Sequence, residues 1–161
     1  MKWTPKPIGI IHSGYQLQTG TPVQGAFTPE SRGQVEIFTE FEEGLRDIDG
    51  FDRIFLIYHC HRSGPVRLRV TPYLDTVERG LFAVRAPARP NPIGLTVVKL
   101  ISREGRFLKV SGVDILDNTP LLDIKPYIPP FDSFPDCHHG WIEQRLKKSD
   151  RNLRADSRFE P

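Results

Sequence analysis

The sequence predicts a mainly β protein: a small barrel made of a single sheet of short strands, with one or two short helices and no Rossmann sheet. The 161 residues include 15 prolines and 13 glycines, which divide the chain into short segments by frequent turns. Several of these segments are rich in β-branched and aromatic residues, as strands are. Long amphipathic helices do not alternate with them, although a doubly wound sheet requires such helices.

The first half of the chain is expected to supply three strands. Residues 7–13 are isoleucine-rich and enter through a proline, and residues 34–38 alternate polar and apolar side chains. The strongest strand pattern is FDRIFLIYH at residues 51–59, which we expect at the centre of the sheet. Residues 14–33 predict a long ordered loop, a kind of segment that often carries function. Residues 40–46 predict a short helix.

The second half of the chain is expected to complete the barrel. Residues 94–102 and 106–115 predict a hairpin around a Glu-Gly turn. Residues 120–127 predict the last extended segment of the sheet. Shorter strands are predicted at residues 66–70 and 81–84.

The chain changes character after residue 140. Residues 1–140 form the expected barrel domain, and residues 141–161 form a basic C-terminal tail. Residues 141–148 are long enough for one or two helical turns, whereas residues 149–161 hold few apolar side chains and are expected to fray or to dock elsewhere. The six basic and four acidic residues between 143 and 161 account for the whole net charge of +2.

The composition limits the location and the class of the protein. The sequence has no run of about 18 apolar residues, so no membrane span is expected. Residues 1–5 lack the apolar stretch of a signal peptide. Cys60 and Cys137 are too few for a disulfide framework, and we expect a cytoplasmic protein. Fingerprints of Rossmann, P-loop, zincin and α/β-hydrolase sites are absent.

A proline-rich loop at residues 85–95, RAPARPNPIGL, is the most unusual segment. Its three prolines restrict the backbone and lower the entropy that ligand binding costs. Arg85 and Arg89 are expected to project from it, and a guanidinium suits a carboxylate or a phosphate. Asn91 can both donate and accept hydrogen bonds, as an adenine edge or an amino acid head group requires.

An acidic turn at residues 114–127, DILDNTPLLDIKPY, is the second unusual segment. Asp114, Asp117 and Asp123 surround an Asn-Thr-Pro turn. These side chains can serve the turn and cap strand ends, or they can contact a ligand, and both interpretations remain open.

Together the two segments resemble the TsaA-like, TrmO-type family of S-adenosylmethionine-dependent tRNA methyltransferases. The shared pattern is RxPxRPNPIGL followed by DILDxTPxxDIKPY, and further similarity runs from PIGIIHS through FDRIFLIYHCH to Pro135 and Asp136. The resemblance implies a single-sheet β-barrel that binds the cofactor near the interface of a homodimer. It also implies methylation of N6 of threonylcarbamoyladenosine, next to the anticodon of tRNA.

The resemblance further implies a cofactor site at the matching positions. These are Gln24, Gly25, Ala26, His59, Cys60, Arg85, Leu95, Ser111, Gly112, Val113 and Asp114, to which we add Asn91 of the proline-rich loop. In such a site Arg85 suits the cofactor carboxylate, and Asp114 suits its ammonium or its ribose hydroxyls. Asp114, His59 and Asp123 are unranked candidates for the proton acceptor in methyl transfer, which needs no metal.

Arginines are concentrated between residues 62 and 89, a segment that contains six of them but only two acidic residues. We expect four of them to contact RNA phosphates, and a solvated surface is the alternative interpretation. They are Arg62, Arg67, Arg69 and Arg89.

Three functional hypotheses remain open. The first is the tRNA methyltransferase, or a methyltransferase with another substrate. The second is a non-catalytic module that binds S-adenosylmethionine or RNA, because bacterial members of the resembled family carry a further C-terminal domain where this chain has a short tail. The third is a zinc-stabilised domain using residues 59–61 and 137–139. Adjacent strand residues point to opposite faces, and C-x-x-C pairs are missing, which disfavours zinc.

Overall fold

The computed structural model describes residues 4–147 and 153–161. Within them eight strands form: β1 (Gly9–Ser13), β2 (Arg32–Ile37), β3 (Arg53–His59), β4 (Arg69–Val70), β5 (Arg79–Gly80), β6 (Ile93–Glu104), β7 (Phe107–Ser111) and β8 (Thr119–Pro126). Six of them close into an antiparallel barrel in the order β1–β2–β7–β6–β3–β8, and β4 pairs with β5 alone. The mainly β class and the single-sheet barrel predicted from the sequence are confirmed.

The barrel strands lie close to their predicted positions. β3 pairs with β6 on one side and with β8 on the other, as every strand of this closed barrel pairs with two neighbours, so the predicted central position has no counterpart here. β6 and β7 form the predicted hairpin, and its turn contains Gly105 with a φ of 59°. Glycine adopts this left-handed conformation without the steric penalty that a Cβ would bring.

Aliphatic side chains fill the barrel, and their alternation continues into polar residues at one end. On β3, Ile54 and Leu56 are fully buried, because alternate residues of a strand face the same side. The next residue on this inward face is Tyr58. In the register of β3 and β6, Leu56 lies opposite Thr96 and Tyr58 lies opposite Gly94. A tyrosine and a threonine therefore occupy the inner face where β3 ends and β6 begins.

A second, smaller hydrophobic cluster lies outside the barrel. It consists of Val70, Leu81, Val84, Ala86 and Phe159, with Tyr73 and Trp141 packed against it. Phe159 belongs to the C-terminal tail. The tail also pairs with the loop before β2, since the N–H of Ala155 donates to the carbonyl of Thr21 at 2.8 Å. Residues 153–161 therefore connect the loop before β2 to the segment between β3 and β6.

The helices are short. The described residues contain two α-helices, α1 (Pro129–Asp132) and α2 (Ile142–Leu146), and α2 lies where helical turns were predicted. The predictions for residues 148–152 concern positions outside the described residues. No helix within residues 4–147 and 153–161 is long and apolar enough to cross a membrane.

The short helix predicted at residues 40–46 is present as the 3-10 helix Thr39–Leu45, since a short connection gains little from the cooperativity that stabilises an α-helix. One prediction of local structure was wrong. The strand predicted at residues 81–84 is the 3-10 turn Leu81–Ala83, in which Leu81 is buried in the second cluster. Packing of that side chain outweighs the strand propensity of the segment.

Candidate functional site

A cavity of about 450 Å³ lies where β3 ends and β6 begins. Its walls come from the loop before β2, the end of β3, the proline-rich loop and the segment after β7, and Ala155 of the tail lines it as well. This volume falls in the range of about 300–1,000 Å³ that small-molecule sites usually have.

Asp114 is the acidic group of this cavity. The backbone N–H of Gly25 donates to its Oδ2 at 2.8 Å, and the Thr96 hydroxyl donates to its Oδ1 at 2.8 Å. Burial raises the pKa of the Asp114 carboxyl above its ordinary value, while these two hydrogen bonds and the charge of Arg85 oppose the rise. The carboxylate is therefore fixed in the cavity wall, where it can accept a positively charged group.

Tyr58 lies behind this arrangement. Its hydroxyl oxygen is 3.2 Å from the hydroxyl oxygen of Thr96, and both residues line the cavity. Burial, followed by the charge of Asp114, raises the pKa of the Tyr58 phenol, so the hydroxyl keeps its proton over the physiological range.

Two glycines let the loop before β2 approach the segment after β7. A Cβ on Gly25 would overlap the carbonyl oxygen of Gly112. Gly112 itself has a φ of 80°, in the left-handed region that favours glycine. Their close backbone contact aims the Gly25 N–H at Asp114.

Arg85 brings positive charge to the same cavity. Its Nη1 donates to Oε1 of Gln24 at 3.3 Å, and both side chains line the wall. With Asp114 the cavity thus offers an anionic and a cationic group. This pair suits a ligand that carries both a cationic group and a carboxylate, as an amino acid does.

The Arg89 side chain folds back onto backbone carbonyl groups of residues 81–86. Its Nη1 donates to the carbonyl oxygens of Leu81, Val84 and Ala86 at 3.2, 2.8 and 3.4 Å. This guanidinium nitrogen shares its two protons among three backbone carbonyl oxygens, which ties the proline-rich loop to the second hydrophobic cluster. The structure gives Arg89 this internal contact, in addition to a place on the cavity wall.

Cys60 and His61 extend the wall beyond β3. Burial raises the pKa of the Cys60 thiol to about 11, so the thiol is protonated at neutral pH. Burial, and then the charges of Arg62 and His59, lower the pKa of His61, so the imidazole is neutral at pH 7.

The predicted site residues are only partly brought together. Those that line the cavity are Gln24, Cys60, Arg62, Arg85, Arg89, Leu95 and Asp114. Gly25 reaches it through the hydrogen bond to Asp114. Those that do not line it are Ala26, His59, Asn91, Ser111, Gly112, Val113, Asp123, Arg67 and Arg69.

The residues outside the cavity have other surroundings. His59 lies between two cavity residues, Tyr58 and Cys60, and neighbouring strand residues face opposite sides. Asp123 forms an ion pair of 2.8 Å with Lys125 and is 43% exposed. Val113 is fully buried in the barrel core. Among the three candidate proton acceptors, Asp114 is the one that lines the cavity.

The arginines predicted to contact RNA are exposed, apart from Arg89. Arg62 donates to the carbonyl oxygen of Gln16 at 2.6 Å, and Arg69 pairs with Glu78 at 3.0 Å. Such exposed contacts are screened by solvent and hold the side chains only weakly. Arg62 and Arg69 therefore remain able to exchange these partners for a phosphate.

The described residues contain no group of three or more His, Cys, Asp or Glu side chains placed to hold a metal ion. Cys60 is half-buried at the cavity, whereas Cys137 is exposed. The zinc interpretation therefore gains no support from the described part of the chain.

Sequence reasoning missed several residues of the cavity wall, including Tyr58, Thr96 and Ala155, and it considered His61 only as a zinc ligand. Tyr58 and Thr96 follow from alternation along strands whose inner face is otherwise aliphatic, so a strict period of two could have found them. Ala155 could not be found in this way, because its place depends on long-range pairing with Thr21.

Residues 10–133 match the family model described as the tRNA-methyltransferase O N-terminal domain. A Pyrococcus abyssi protein named as a probable S-adenosyl-L-methionine-binding protein is 49% identical over 96% of this chain and 83% of its own length. A mouse tRNA (adenine(37)-N6)-methyltransferase is 37% identical over 80% of this chain.

A similar solved structure is that of TrmO from Pseudomonas aeruginosa. It has a TM-score of 0.74 and 34% sequence identity over 88% of this chain. The chain spans 63% of that solved protein and 31% of the mouse methyltransferase. The likeness to these two proteins therefore concerns one part of a longer polypeptide.

Proposed function

The chain belongs to the family of the tRNA-methyltransferase O N-terminal domain, and from this premise we propose that it binds S-adenosylmethionine in the cavity and methylates tRNA. The proposed acceptor is N6 of threonylcarbamoyladenosine next to the anticodon. The proposal agrees with the names of its relatives, which include S-adenosyl-L-methionine-binding proteins and tRNA (adenine(37)-N6)-methyltransferases.

The observation that carries this proposal is that Asp114 and Arg85 both line the same cavity. S-adenosylmethionine has a carboxylate, an ammonium and a sulfonium, so it needs both signs of charge from its site. Arg85 can bind the carboxylate and Asp114 a cationic group, while the close approach of Gly25 and Gly112 leaves backbone near the ligand. The residues present therefore fit this cofactor.

Bound S-adenosylmethionine supplies a methyl group made electrophilic by its positive sulfur. The chain would hold the cofactor through Arg85 and Asp114, so that the methyl group would be presented to the substrate nitrogen. The proton that leaves N6 needs an acceptor at the cavity. Two wall groups have this capacity, the Asp114 carboxylate and the neutral His61 imidazole.

We assign phosphate contact to Arg62, Arg67 and Arg69. The three side chains are exposed, and Arg62 also lines the cavity. Exposed guanidinium groups release counterions when they bind phosphates, so each contact adds to the salt dependence of affinity. Arg67→Glu is expected to weaken tRNA binding and to reduce its salt dependence, and an unchanged salt dependence would remove Arg67 from the interface.

We further propose that the protein acts as a cytoplasmic homodimer whose second copy covers the cavity mouth. Three apolar side chains that line the cavity are exposed, namely Phe82 at 78%, Leu95 at 55% and Ile93 at 39%. Apolar surface of this kind is typical of a surface that a partner covers. Leu95→Glu is expected to shift the sedimentation profile from dimer to monomer, and a monomeric native chain would contradict the proposal.

The decisive experiment is methyl transfer from labelled S-adenosylmethionine to total tRNA from cells that lack this gene. Label released on digestion as methylated threonylcarbamoyladenosine would support both the reaction and the acceptor. Asp114→Asn is expected to lose this transfer, whereas Glu43→Gln, at an exposed ion pair outside the cavity, is expected to keep it.

The negative outcomes separate the alternatives. Cofactor binding by titration without transfer to tRNA would indicate a non-catalytic module or another substrate. Transfer to tRNA lacking the threonylcarbamoyl group would show that the proposed acceptor is wrong. Neither binding nor transfer would overturn the proposal as a whole.

A further inference from the structure

Three side chains form a hydrogen-bonded chain in the cavity wall: Tyr58, Thr96 and Asp114. A hydroxyl has one proton to donate, whereas an ionised carboxylate only accepts. The Thr96 hydroxyl therefore donates a hydrogen bond of 2.8 Å to Oδ1 of Asp114. The Tyr58 hydroxyl, 3.2 Å from Thr96 Oγ1, then donates to Thr96. The chain of donors runs from tyrosine to threonine to aspartate.

The fold holds each member of this chain in place. Tyr58 and Thr96 stand on the inner faces of the adjacent strands β3 and β6. The Tyr58 ring lies against Gly94, where a Cβ would overlap the ring. On the far side, the Gly25 N–H donates to the second oxygen of Asp114. One carboxylate oxygen thus accepts a hydrogen bond from a barrel strand, and the other accepts one from the loop before β2.

We propose that Tyr58 and Thr96 are positioning residues, whose directed hydrogen bonds hold Asp114 as a carboxylate aimed at the positively charged group of the cofactor. This inference rests on the proposed function, because it presumes that S-adenosylmethionine is the ligand of the cavity. It assigns to Tyr58 and Thr96 no contact with the reacting atoms. Their effect on binding passes through the charge and orientation of Asp114.

The ionisable groups near Asp114 allow its titration to be observed. Cys60 and Tyr58 on the β3 side have raised pKa values, and both are neutral below pH 9. Arg85 on the proline-rich loop lines the same cavity. His61, elsewhere on the wall, titrates below its ordinary pKa. The native chain and all variants contain His61. A difference in the midpoint of the pH-dependent affinity between them therefore reports on Asp114.

The test is calorimetric titration with S-adenosylmethionine between pH 4 and pH 8. Affinity is expected to fall as Asp114 becomes protonated at low pH. Thr96→Val keeps the side-chain shape but removes the donor, so it should move the midpoint of this fall upward by about one pH unit, the size expected for a hydrogen bond to a charged group. Tyr58→Phe should move it upward by less, because it acts through Thr96.

Two further variants make the comparison specific. Thr96→Ser retains the hydroxyl and should keep the midpoint of the native chain. Thr28→Val is a matched control, since Thr28 is a buried threonine outside the cavity, and it should also keep that midpoint. Thermal melts at pH 8 would verify that every variant is folded.

The outcomes distinguish this inference from the proposed function. An upward shift for Thr96→Val and Tyr58→Phe, with rescue by Thr96→Ser, would support the positioning role. Binding by the native chain with the same midpoint in all variants would overturn that role alone. A shift in Thr96→Ser equal to that in Thr96→Val would also overturn it. Absence of binding by the native chain at every pH would overturn the proposed function and this inference together.

Discussion

The backbone N–H of Gly25 donates a hydrogen bond of 2.8 Å to Oδ2 of Asp114, although 89 positions separate the two residues. This bond joins the long loop before β2 to the acidic turn after β7. It depends on the absence of a side chain at Gly25, because a Cβ there would overlap the carbonyl oxygen of Gly112. The absence of a side chain at Gly25 thereby lets the loop lie close enough to hold the Asp114 carboxylate in its orientation.

Gly25→Ala is therefore expected to weaken cofactor binding more than it destabilises the barrel. The methyl group must push the loop away from Gly112, which lengthens the hydrogen bond to Asp114. We expect affinity for S-adenosylmethionine to fall about tenfold, which corresponds to ~1.4 kcal/mol. Gly50→Ala is the control, since a Cβ at Gly50 meets no described atom within 4 Å. Equal affinities for the two variants would contradict this account of the loop.

Arg85 and Arg89 lie only four positions apart, but their substitution is expected to have different effects. Arg85 should matter for cofactor affinity and Arg89 for stability. Arg85→Gln should lower affinity for S-adenosylmethionine about tenfold with little change in stability, because its side chain is exposed at the cavity. Arg89→Gln should lower the free energy of unfolding by about 2 kcal/mol, because three carbonyl oxygens lose a charged donor. Urea unfolding and calorimetric titration of both variants test the distinction, and the reverse pattern would refute it.

The two cysteines should differ in reactivity. Since burial raises the pKa of Cys60 to about 11, only about one thiol in a thousand is ionised at pH 8. Iodoacetamide should therefore modify exposed Cys137 first, and modification of Cys60 should accelerate as the pH rises from 8 to 10. Bound S-adenosylmethionine should slow it further, since Cys60 lines the cavity. Mass spectrometry of Cys137→Ser isolates Cys60, and rapid labelling at pH 7 would show that the thiol is not protected.

Thr28 carries a buried hydroxyl that makes no hydrogen bond with the described residues. Leaving a hydroxyl without a partner costs free energy that an apolar group of equal shape does not. Thr28→Val should therefore raise the free energy of unfolding by about 1 kcal/mol. Thr119→Val provides the contrast, because the Thr119 hydroxyl donates to the carbonyl oxygen of Leu116 at 2.7 Å and its loss should be destabilising. Destabilisation by Thr28→Val would indicate an ordered water at this hydroxyl.

The sequence predicted the barrel and part of the cavity because those features depend on local pattern. The aliphatic alternation in β3 and β6 appears in the residues themselves, and Asp114 and Arg85 stand in segments of unusual composition. The internal contacts of Arg89 could not be predicted, because they depend on how a loop folds back on its own carbonyl groups. The place of Ala155 could not be predicted either, since a pairing with the loop before β2 leaves no local pattern.

The described part of the tail is expected to stabilise the domain and to support the cavity. Phe159 is only 5% exposed, and its ring packs edge-on against Tyr73 with 5.2 Å between centroids. Phe159→Ala should lower the free energy of unfolding by about 3 kcal/mol, as removal of a buried aromatic ring usually does. Affinity for S-adenosylmethionine should fall a few-fold as well, because Ala155 of the same segment lines the cavity.

Phe134→Ala is the matched control for this prediction, since Phe134 is 71% exposed. A substitution at such a position is expected to change stability by less than about 0.5 kcal/mol. Urea unfolding of both variants gives the comparison, and titration with S-adenosylmethionine gives the effect on the cavity. If Phe159→Ala were as stable as Phe134→Ala, residues 153–161 would contribute little to the free energy of unfolding. The contacts of the tail with Thr21 and Tyr73 would then not stabilise the domain.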